Sequence, residues 1–272
     1  GGVALNVKAN QKIANIPGLE QIFIPPGCGD ESLPMGAAWG LYAQLCREQN
    51  KVAEIPPMET AYLGTKVTEE DVEHILDMPL IREKFVVVNG DPEIAASQAL
   101  AEGDILAVCR DSMEFGPRSL GHRSLLADPR RPESVQKINE AIKGRDFWMP
   151  FAPSVLKEDA ARYLDVPSTI DLRFMTCTVD STAEGRATLV SCLHPYDGTA
   201  RPQIVIPTKQ SRYYDLIKKF KNLTGVGAVL NTSLNIHGKP IVSAPREIVE
   251  EILSNPKVTL SHILVGNQFL KR

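Results

Sequence analysis

Short apolar runs separated by amphipathic stretches dominate the chain after residue 84. The apolar runs, rich in Val, Ile and Leu, predict buried strands at residues 85–88, 105–108, 174–179, 203–206, 227–230 and 262–265. The stretches with helical spacing predict helices at residues 95–102, 134–142, 158–164, 213–220 and 246–254. Alternation of this kind predicts an α/β or α+β fold with one dominant sheet.

The chain up to residue 84 follows a different pattern. Residues 21–24 have strand composition and stop at a Pro-Pro-Gly turn, and residues 34–50 predict a helix with Pro34 in its first turn. Thr68 precedes an acidic stretch and predicts the capped start of a helix that runs to about Asp77. Because a new strand begins at residue 85, we predict a domain boundary there, with residues 1–84 in one unit and residues 85–272 in the other.

Composition and charge exclude several classes of protein. The 272 residues are 43% hydrophobic but only 6% aromatic, which predicts an aliphatic core. A net charge of −3 provides no general attraction for nucleic acid or an anionic membrane, and no apolar run approaches the ~20 residues of a membrane span. The five cysteines form no C-x-x-C pair, which argues against disulfides and a thiolate zinc site. Together with the absence of a signal-peptide pattern, these features predict a cytoplasmic protein with reduced thiols.

Two cationic clusters are candidates for binding anions. Residues 113–124 read MEFGPRSLGHRS, where Arg118 and Arg123 supply planar donors and the glycines let backbone N–H groups approach the same anion. Residues 143–153 read KGRDFWMPFAP, where Lys143 and Arg145 precede an aromatic, proline-stiffened wall suited to a nucleotide or an acyl phosphate. The residues alone leave alternatives open: the first cluster also fits a surface loop with solvated arginines, and the second a helix C-terminus with basic residues.

Three polar clusters complete the candidate chemistry. Residues 194–203 read HPYDGTARPQ, in which a lone histidine is more often structural than catalytic. Residues 231–235 read NTSLN directly after an apolar strand, where α/β proteins place ligand-binding groups and where ordinary turns also place Asn and Ser. Residues 27–32 read GCGDES, whose adjacent carboxylates either hold a metal or cap the next helix.

In their order along the chain, these clusters resemble the NodU-type O-carbamoyltransferase family, which includes nodulation and antibiotic-tailoring enzymes. The matching runs are GGVALN, D-x-S-x-x-x-G-A-A, MEFGPRSLGHRS, KGRDFWMPFAPSV, HPYDGTARPQ and NTSLNIHGKPIVSAP. They span nearly the whole chain, and six runs in one order are far more specific than any single run.

The resemblance implies an architecture and a reaction. Residues 85–272 are expected to form a YrdC-like twisted mixed sheet with helices, and residues 1–84 to be the end of an actin/Hsp70-like ATPase-superfamily domain. The YrdC-like domain is expected to join carbamoyl phosphate to ATP, with magnesium, giving carbamoyl adenylate and pyrophosphate. The other domain then transfers the carbamoyl group to a hydroxyl of a small-molecule acceptor, and AMP leaves.

The resemblance also implies roles for individual residues. The implied catalytic residues are Arg118, Lys143, Arg145 and Arg201, which supply the fixed cations that two polyanionic substrates need. The implied contacts to substrate and ATP are Arg123, Ser124, His194, Thr199, Gln203, Asn231, Thr232, Ser233 and Asn235, with Gly1, Gly2 and Asn6 of the first unit. Within that set, Asn231, Ser233 and Asn235 are expected to hold the planar carbamoyl group. Met149 stands where many relatives carry arginine, so the anion site has one cation fewer.

The metal site of the family is incomplete in this sequence. Asp30 matches an aspartate that helps to hold an iron-type ion, but the H-x-x-x-H stretch that supplies two further ligands is absent. We therefore expect the chain to be one truncated piece of a longer protein, whose missing N-terminal half binds the metal and completes the transfer step. The expected partners are small molecules rather than a membrane or nucleic acid, and a homodimer with a second copy is left open.

Two other functions remain as alternatives. A threonylcarbamoyl-adenylate synthase-like enzyme would use the same fold, but relatives of that kind lack the MEFGPRSLGHRS and HPYDGTARPQ runs. A non-catalytic module would bind RNA or a nucleotide on a concave basic surface, and the net charge of −3 counts against it.

Overall fold

The computed structural model describes residues 2–143, 149–208, 211–256 and 258–272 of the chain. Of the predicted site residues, Gly1 and Arg145 lie outside these ranges. All other predicted site residues have described positions.

One mixed sheet forms the centre of the described part of the chain. Its eight strands are β1 (Val86–Val88), β2 (Leu106–Cys109), β3 (Arg123–Ala127), β4 (Ala152–Leu156), β5 (Gln203–Val205), β6 (Ala228–Ser233), β7 (His262–Val265) and β8 (Gln268–Lys271). They lie in the order β1-β8-β7-β2-β3-β6-β4-β5. The β2–β7 and β4–β5 pairs are parallel and the other neighbours are antiparallel. The predicted mixed sheet is therefore confirmed.

Helices cover the sheet and form much of the first segment, which we define as residues 2–84. The α-helices are α1 (Val7–Ala14), α2 (Leu33–Glu48), α3 (Glu69–Asp77), α4 (Pro79–Lys84), α5 (Pro92–Glu102), α6 (Pro132–Ile138), α7 (Ala160–Tyr163), α8 (Ala183–Thr188) and α9 (Ser211–Thr224). Two π-helical segments differ from the predicted α-helices: Asn139–Lys143 replaces the end of the helix predicted at 134–142, and Ile248–Leu253 replaces most of the helix predicted at 246–254. None of the helices in the described ranges has the length and hydrophobicity needed to cross a membrane.

The middle of the sheet is buried on both faces, and this explains the composition of its strands. Every residue of β2, β3, β4 and β7 is buried, so β2 and β7 are continuous apolar runs rather than alternating ones. Helices α5 and α9 pack against each other over the sheet. The ends of α5 are set by sequence: the Asp91 side chain accepts from the Ile94 N–H (3.0 Å), and Gly103 closes the helix at φ +94°.

The first segment shares the core of the sheet and is hydrogen-bonded to it. The Asn10 amide donates to the carbonyl of Thr176 (2.7 Å), and the Thr178 N–H donates to the carbonyl of Val7 (3.2 Å). Residues 61–67 run beside residues 111–115 with backbone hydrogen bonds in both directions. Apolar side chains of α1 and α3 also belong to the same buried cluster as the strands. The predicted boundary at residue 84 is thus crossed by one continuous core.

Helix α2 is the exception within the first segment, because none of its residues is buried. Its large apolar side chains range from 41% exposed at Trp39 to 67% exposed at Leu33. Exposed apolar side chains of this kind are expected to be covered, either by the sheet domain or by a second copy of the chain. For α2, the structure does not show the first of these arrangements.

The apolar runs predicted two strands that do not form and did not predict three strands that do. Residues 21–24 and 174–179 form only isolated bridges, one from Ile22 to Ile170 and one from Val179 to Ala200. An apolar run indicates burial rather than strand pairing: residues 174–179 are all buried without pairing as a strand, and of residues 21–24 only Ile24 is buried. Strands β3, β4 and β8 were missed. Arg123 and Ser124 begin β3, and Pro153 and Ser154 interrupt the apolar pattern of β4.

The thiols are as the cysteine spacing predicts. All five cysteines are free, and every one except Cys46 is buried. Burial raises the pKa of the Cys109 thiol to about 12 and that of the Cys177 thiol to about 11. These two groups are therefore neutral and unreactive at neutral pH.

Replacing Gly185 should destabilise the fold. A Cβ at this position of α8 would lie 1.9 Å from the carbonyl oxygen of Tyr163, so Gly185→Ala forces the helix away from its neighbour. We expect the free energy of unfolding in urea to fall by about 1–3 kcal/mol. The matched control is Gly36→Ala in the exposed helix α2, where a Cβ meets nothing within 4 Å and the free energy should rise by up to about 1 kcal/mol. Equal effects of the two substitutions would contradict this packing.

Asp197 should link α1 to the rest of the fold in a pH-dependent way. Burial raises the pKa of this carboxyl, but hydrogen bonds from the Lys8 ammonium (2.5 Å) and the Thr199 hydroxyl (2.7 Å) outweigh burial and hold the pKa well below its usual range. The stabilisation is therefore complete above the unfolded-state pKa of about 3.9, declines below it, and is lost as the pH falls through the folded-state pKa.

Asp197→Asn should accordingly lower the free energy of unfolding at pH 7 by up to about 1 kcal/mol, since the ion pair is partly exposed. The difference from wild type should shrink as urea unfolding is repeated at successively lower pH below 4. Asp77→Asn, at an exposed ion pair with Arg82, serves as the control and should change the free energy by less than about 0.5 kcal/mol. A difference between wild type and Asp197→Asn that stays constant with pH would refute the assignment.

Candidate active site

A narrow cleft of about 70 Å³ opens at one end of the central strands. Strand β6 is antiparallel to both β3 and β4, with Ser233 opposite Ser124 and Asn231 opposite Ala152, so the end of β6 lies beside the beginnings of its two neighbours. The cleft is lined by Pro117, Arg118, Ser119, Pro150, Phe151, Ala152, Met175, Arg201, Asn231, Thr232 and Ser233. Five predicted site residues from three separate sequence clusters therefore meet in one place.

Two arginines make one side of the cleft cationic. Arg118 comes from the loop between β2 and β3, and Arg201 comes from the chain just before β5. Both side chains belong to residues that are partly exposed, and guanidinium groups stay charged at any physiological pH. The cleft can thus bind an anion whose charge is spread over several oxygens.

Lys143 adds a third cation just behind this surface. It ends the π-helical turn after α6 and is fully buried. Its ammonium donates to the carbonyl of Ser233 (2.5 Å), to the hydroxyl of Ser233 (3.1 Å) and to the side-chain oxygen of Asn235 (2.5 Å). The Ser233 hydroxyl in turn donates to Asn235 (2.6 Å). Since Ser233 lines the cleft, the charge of Lys143 is separated from the cleft by a single residue.

A buried polar network forms the floor beneath Asn231. The Asn231 amide nitrogen donates to the carbonyl of Ser119 (3.2 Å) and to the hydroxyl of Ser154 (3.1 Å). The Ser154 hydroxyl donates to Gln203 (2.7 Å), and the Gln203 amide donates to the carbonyl of Leu120 (2.8 Å). The side-chain oxygen of Asn231 has no hydrogen-bond partner among the described residues. A buried acceptor without a partner is costly, so a donor on a bound molecule would be stabilised there.

The structure places Arg123 and Ser124 outside the lining of the cleft. Arg123 is fully buried, and its guanidinium donates to backbone carbonyls, among them those of Arg110 (2.6 Å), Ser243 (3.2 Å) and Thr65 (3.3 Å). Ser124 accepts from the N–H of Gly121 (3.0 Å). We predicted that Arg123 contacts the substrate. In the structure, the N–H groups of its guanidinium are directed instead at backbone carbonyls of neighbouring segments.

His194 and Thr199 lie in a different surface region. The Thr199 hydroxyl accepts from the Lys8 ammonium and donates to the Asp197 carboxylate. The backbone N–H of His194 donates to the carbonyl of Thr199 (2.8 Å). The adjoining cavity is lined by Lys8, Gln11, Lys12, Asn15, Asp180, Asp197 and Thr199. Of the HPYDGTARPQ run, only Arg201 lines the cleft, with Gln203 in its floor.

The predicted residues of the first segment are also apart from the cleft. Asn6 caps α1 by accepting from the N–H of Ala9 (3.0 Å), and the carbonyl of Gly2 accepts from the N–H of Leu5 (3.2 Å). Asp30 is exposed and begins a short 3₁₀ turn. Across the described residues, no three His, Cys, Asp or Glu side chains come together as metal ligands. The residues present therefore do not fit the iron-type site of the family.

Sequence reasoning missed several residues that build this site. Ser154 belongs to the KGRDFWMPFAPSV run but had no assigned role, and the pairing of β4 with β6, which sets it opposite Val229, brings its hydroxyl to the Asn231 amide. Glu114 was part of the MEFGPRSLGHRS run, but its carboxylate had no assigned partner. Tyr62 lies in a stretch of the first segment without any recognisable pattern. The acidic residue Glu114 inside a glycine-rich loop was the one available signal, because a carboxylate that becomes buried usually needs several hydrogen-bond donors.

Comparison with known proteins places the chain among carbamoyltransferases. The family described as "Carbamoyltransferase C-terminus" matches residues 97–272. An uncharacterized protein of Methanocaldococcus jannaschii is 38% identical over 93% of this chain and 41% of its own length. Nodulation protein NolO of Bradyrhizobium diazoefficiens is 33% identical over 98% of this chain and 47% of its own length. The chain thus spans less than half the length of these curated relatives.

Solved structures give a weaker likeness. Full-length HypF in its phosphate- and nucleotide-bound form is 17% identical, with a TM-score of 0.46 over 69% of this chain and 22% of that chain. A Sua5 of P. abyssi is 16% identical, with a TM-score of 0.43 over 65% of this chain and 49% of that chain. The family match covers most of the described sheet and all the residues that line the cleft, and the chain therefore belongs to the carbamoyltransferase C-terminus family.

Proposed function

We propose that this chain forms carbamoyl adenylate from carbamoyl phosphate and ATP, for transfer of the carbamoyl group to a hydroxyl of a small-molecule acceptor. The observation that carries the proposal is the cleft itself, where Arg118 and Arg201 face the polar end of β6 with Lys143 directly behind Ser233. Membership of a carbamoyltransferase family supplies the group that is transferred. The acceptor and the transfer step belong to the proposal for the whole, longer protein.

The charges of the cleft suit the chemistry of adenylation. Water releases inorganic phosphate from carbamoyl phosphate, and an oxygen of the remaining carbamate attacks the α-phosphorus of ATP. The bond from that phosphorus to the bridging oxygen breaks, and pyrophosphate leaves with its electron pair. Negative charge grows on the phosphoryl oxygens during this displacement, and fixed guanidinium and ammonium groups stabilise it without having to reorganise.

The polar end of β6 suits the carbamoyl group. A carbamoyl group is planar, with one carbonyl acceptor and two N–H donors. The Asn231 oxygen in the floor lacks a partner among the described residues, whereas the guanidinium groups of Arg118 and Arg201 in the lining are donors. A donor and an acceptor fixed at adjacent positions orient such a group and hold it for attack.

Magnesium is part of this proposal as the ion that accompanies ATP, whereas the iron-type metal is not. Magnesium would arrive with ATP and would neutralise part of the phosphate charge, with the cations of the cleft acting beside it. Asp30 is exposed and no metal-binding trio forms around it within the described ranges, so no step of the reaction is assigned to iron here. Carbamoyl phosphate, ATP and the acceptor are the proposed partners. A homodimer through the exposed face of α2 remains a prediction that light scattering would test.

Removing the positive charge of Arg118 or of Lys143 should abolish most of the adenylation activity. Arg118→Ala and Lys143→Met should each lower the rate of carbamoyl-phosphate-dependent pyrophosphate release about 100-fold, because each removes a charge that stabilises the transition state. Methionine nearly preserves the volume of the buried lysine, so the fold should persist. The measurement is pyrophosphate release with ATP and magnesium, with and without carbamoyl phosphate.

Two surface substitutions are the matched controls for this measurement. Arg82→Ala removes an arginine paired with Asp77, and Lys218→Met removes a lysine paired with Glu158, and neither residue lines the cleft. Both variants should keep the wild-type rate. Pyrophosphate release that requires bicarbonate and threonine instead of carbamoyl phosphate would favour the threonylcarbamoyl-adenylate alternative. Salt-sensitive retention of RNA without any pyrophosphate release would favour a binding module.

A further inference from the structure

The loop that carries Arg118 is folded around one buried carboxylate. Glu114 is only 6% exposed, and a single oxygen of its side chain accepts from the N–H groups of Leu120 (2.7 Å), His122 (2.8 Å) and Arg123 (3.3 Å). Hydrogen bonds from neutral donors to a carboxylate are about twice as strong as those to a neutral acceptor. The carboxylate therefore closes residues 114–123 into a ring, with Arg118 and Ser119 on the side that lines the cleft.

The first segment holds the same loop from outside. The Tyr62 hydroxyl donates to the carbonyl of Leu120 (2.7 Å), the same oxygen that accepts from Gln203 in the floor of the cleft (2.8 Å). The Tyr62 ring also stacks on His122, with 3.8 Å between ring centroids and 19° between planes. The Leu120 carbonyl is thus fixed between a side chain of the first segment and a side chain of β5.

The stacked histidine acts as a neutral part of this arrangement. Burial lowers the pKa of His122, against the opposing influence of Glu114. Its Nδ1 lies 2.7 Å from the carbonyl of Ser112, and because a carbonyl can only accept, that nitrogen donates. His122 therefore provides a fixed, uncharged surface for Tyr62 rather than a proton for the reaction.

The loop is closely packed on two sides. A Cβ on Gly116, which has φ +100°, would lie 2.6 Å from the carbonyl oxygen of Pro26 in the first segment. A Cβ on Gly121, which has φ +113°, would lie 2.4 Å from the ring of Tyr213. The loop is confined on both sides, so the placement of Arg118 depends on the groups that hold the loop.

We propose that Glu114 and Tyr62 are positioning residues for adenylation, which act by holding the Arg118 loop against the cleft. This inference rests on the proposed function. Neither side chain needs to touch a substrate: Glu114 sets the fold of the loop, and Tyr62 makes that fold depend on the first segment. The first segment therefore contributes to adenylation even though none of the residues lining the cleft belongs to it.

The test is a double-mutant cycle on kcat/KM for carbamoyl phosphate, measured by pyrophosphate release. Glu114→Gln keeps the shape of the side chain and removes its charge, and it should lower kcat/KM by about 10- to 100-fold, the range expected when a catalytic group is slightly misplaced. Tyr62→Phe keeps the stacked ring and should lower kcat/KM about fivefold, as expected for one lost hydrogen bond. In an Arg118→Ala background, both substitutions should change kcat/KM by less than about twofold.

Matched controls separate positioning from general damage. Glu158→Gln removes a carboxylate that accepts from Tyr214 and Lys218 outside the loop, and Tyr42→Phe removes a hydroxyl on the exposed helix α2. Both should leave kcat/KM unchanged. If Glu114→Gln and Tyr62→Phe lower kcat/KM by the same factors with and without Arg118, the inference is overturned, because the two residues then act independently of that arginine.

Hydrogen exchange gives a readout that does not depend on activity. Glu114→Gln should speed the exchange of the Leu120, His122 and Arg123 amides at least tenfold relative to those of β2, since their common acceptor is weakened. Unchanged exchange at these amides would overturn the role of Glu114 even if the enzyme is active. A wild-type chain with slow exchange at these amides and no pyrophosphate release would instead refute the proposed function.

Discussion

The buried ammonium of Lys143 and its oxygen partners define where this protein can do chemistry. A charge removed from water must be surrounded by well-placed dipoles, and here the carbonyl and hydroxyl of Ser233 and the side chain of Asn235 provide them. Ser233 is the last residue of β6 and Asn235 follows it by two residues, so strand pairing fixes Ser233 and brings Asn235 close to it. The position of the cleft is consequently as rigid as the centre of the sheet.

Around this fixed point, side chains hold the loops of the site through hydrogen bonds to backbone groups. Glu114 gathers the N–H groups of the Arg118 loop, while Arg123 gathers carbonyls from three neighbouring segments. Glu114 and Arg123 therefore have a different role from Arg118, although all three belong to one motif. They hold backbone groups in place, whereas Arg118 lines the cleft. The members of the motif depend on one another, although only some of them line the cleft.

The first segment is part of this arrangement. It shares the apolar core, lies alongside residues 111–115, and fixes the Leu120 carbonyl through Tyr62. Helix α2 is the contrasting part, since its apolar side chains are exposed in the structure. The relatives are more than twice as long as this chain, so an enzyme of their length has further surface to contribute. In physical terms, the same stretch of sequence both supports the cleft and presents an uncovered face.

Sequence alone determined the mixed α/β class, the apolar runs of β2 and β7, the capped start of helix α3, and the candidate residues Arg118, Arg201, Asn231, Thr232 and Ser233, which the structure places in the lining of the cleft. Periodicity and capping act over a few residues, so they are legible without a structure. Only the tertiary structure decided that Arg123 is directed at backbone carbonyls, that His194 and Thr199 stand apart, and that Ser154, Glu114 and Tyr62 support the site. Those assignments depend on strand register and on contacts between residues far apart in sequence. Neither leaves a periodic trace in the chain, because a polar side chain looks the same in sequence whether it meets water, a substrate or a buried carbonyl.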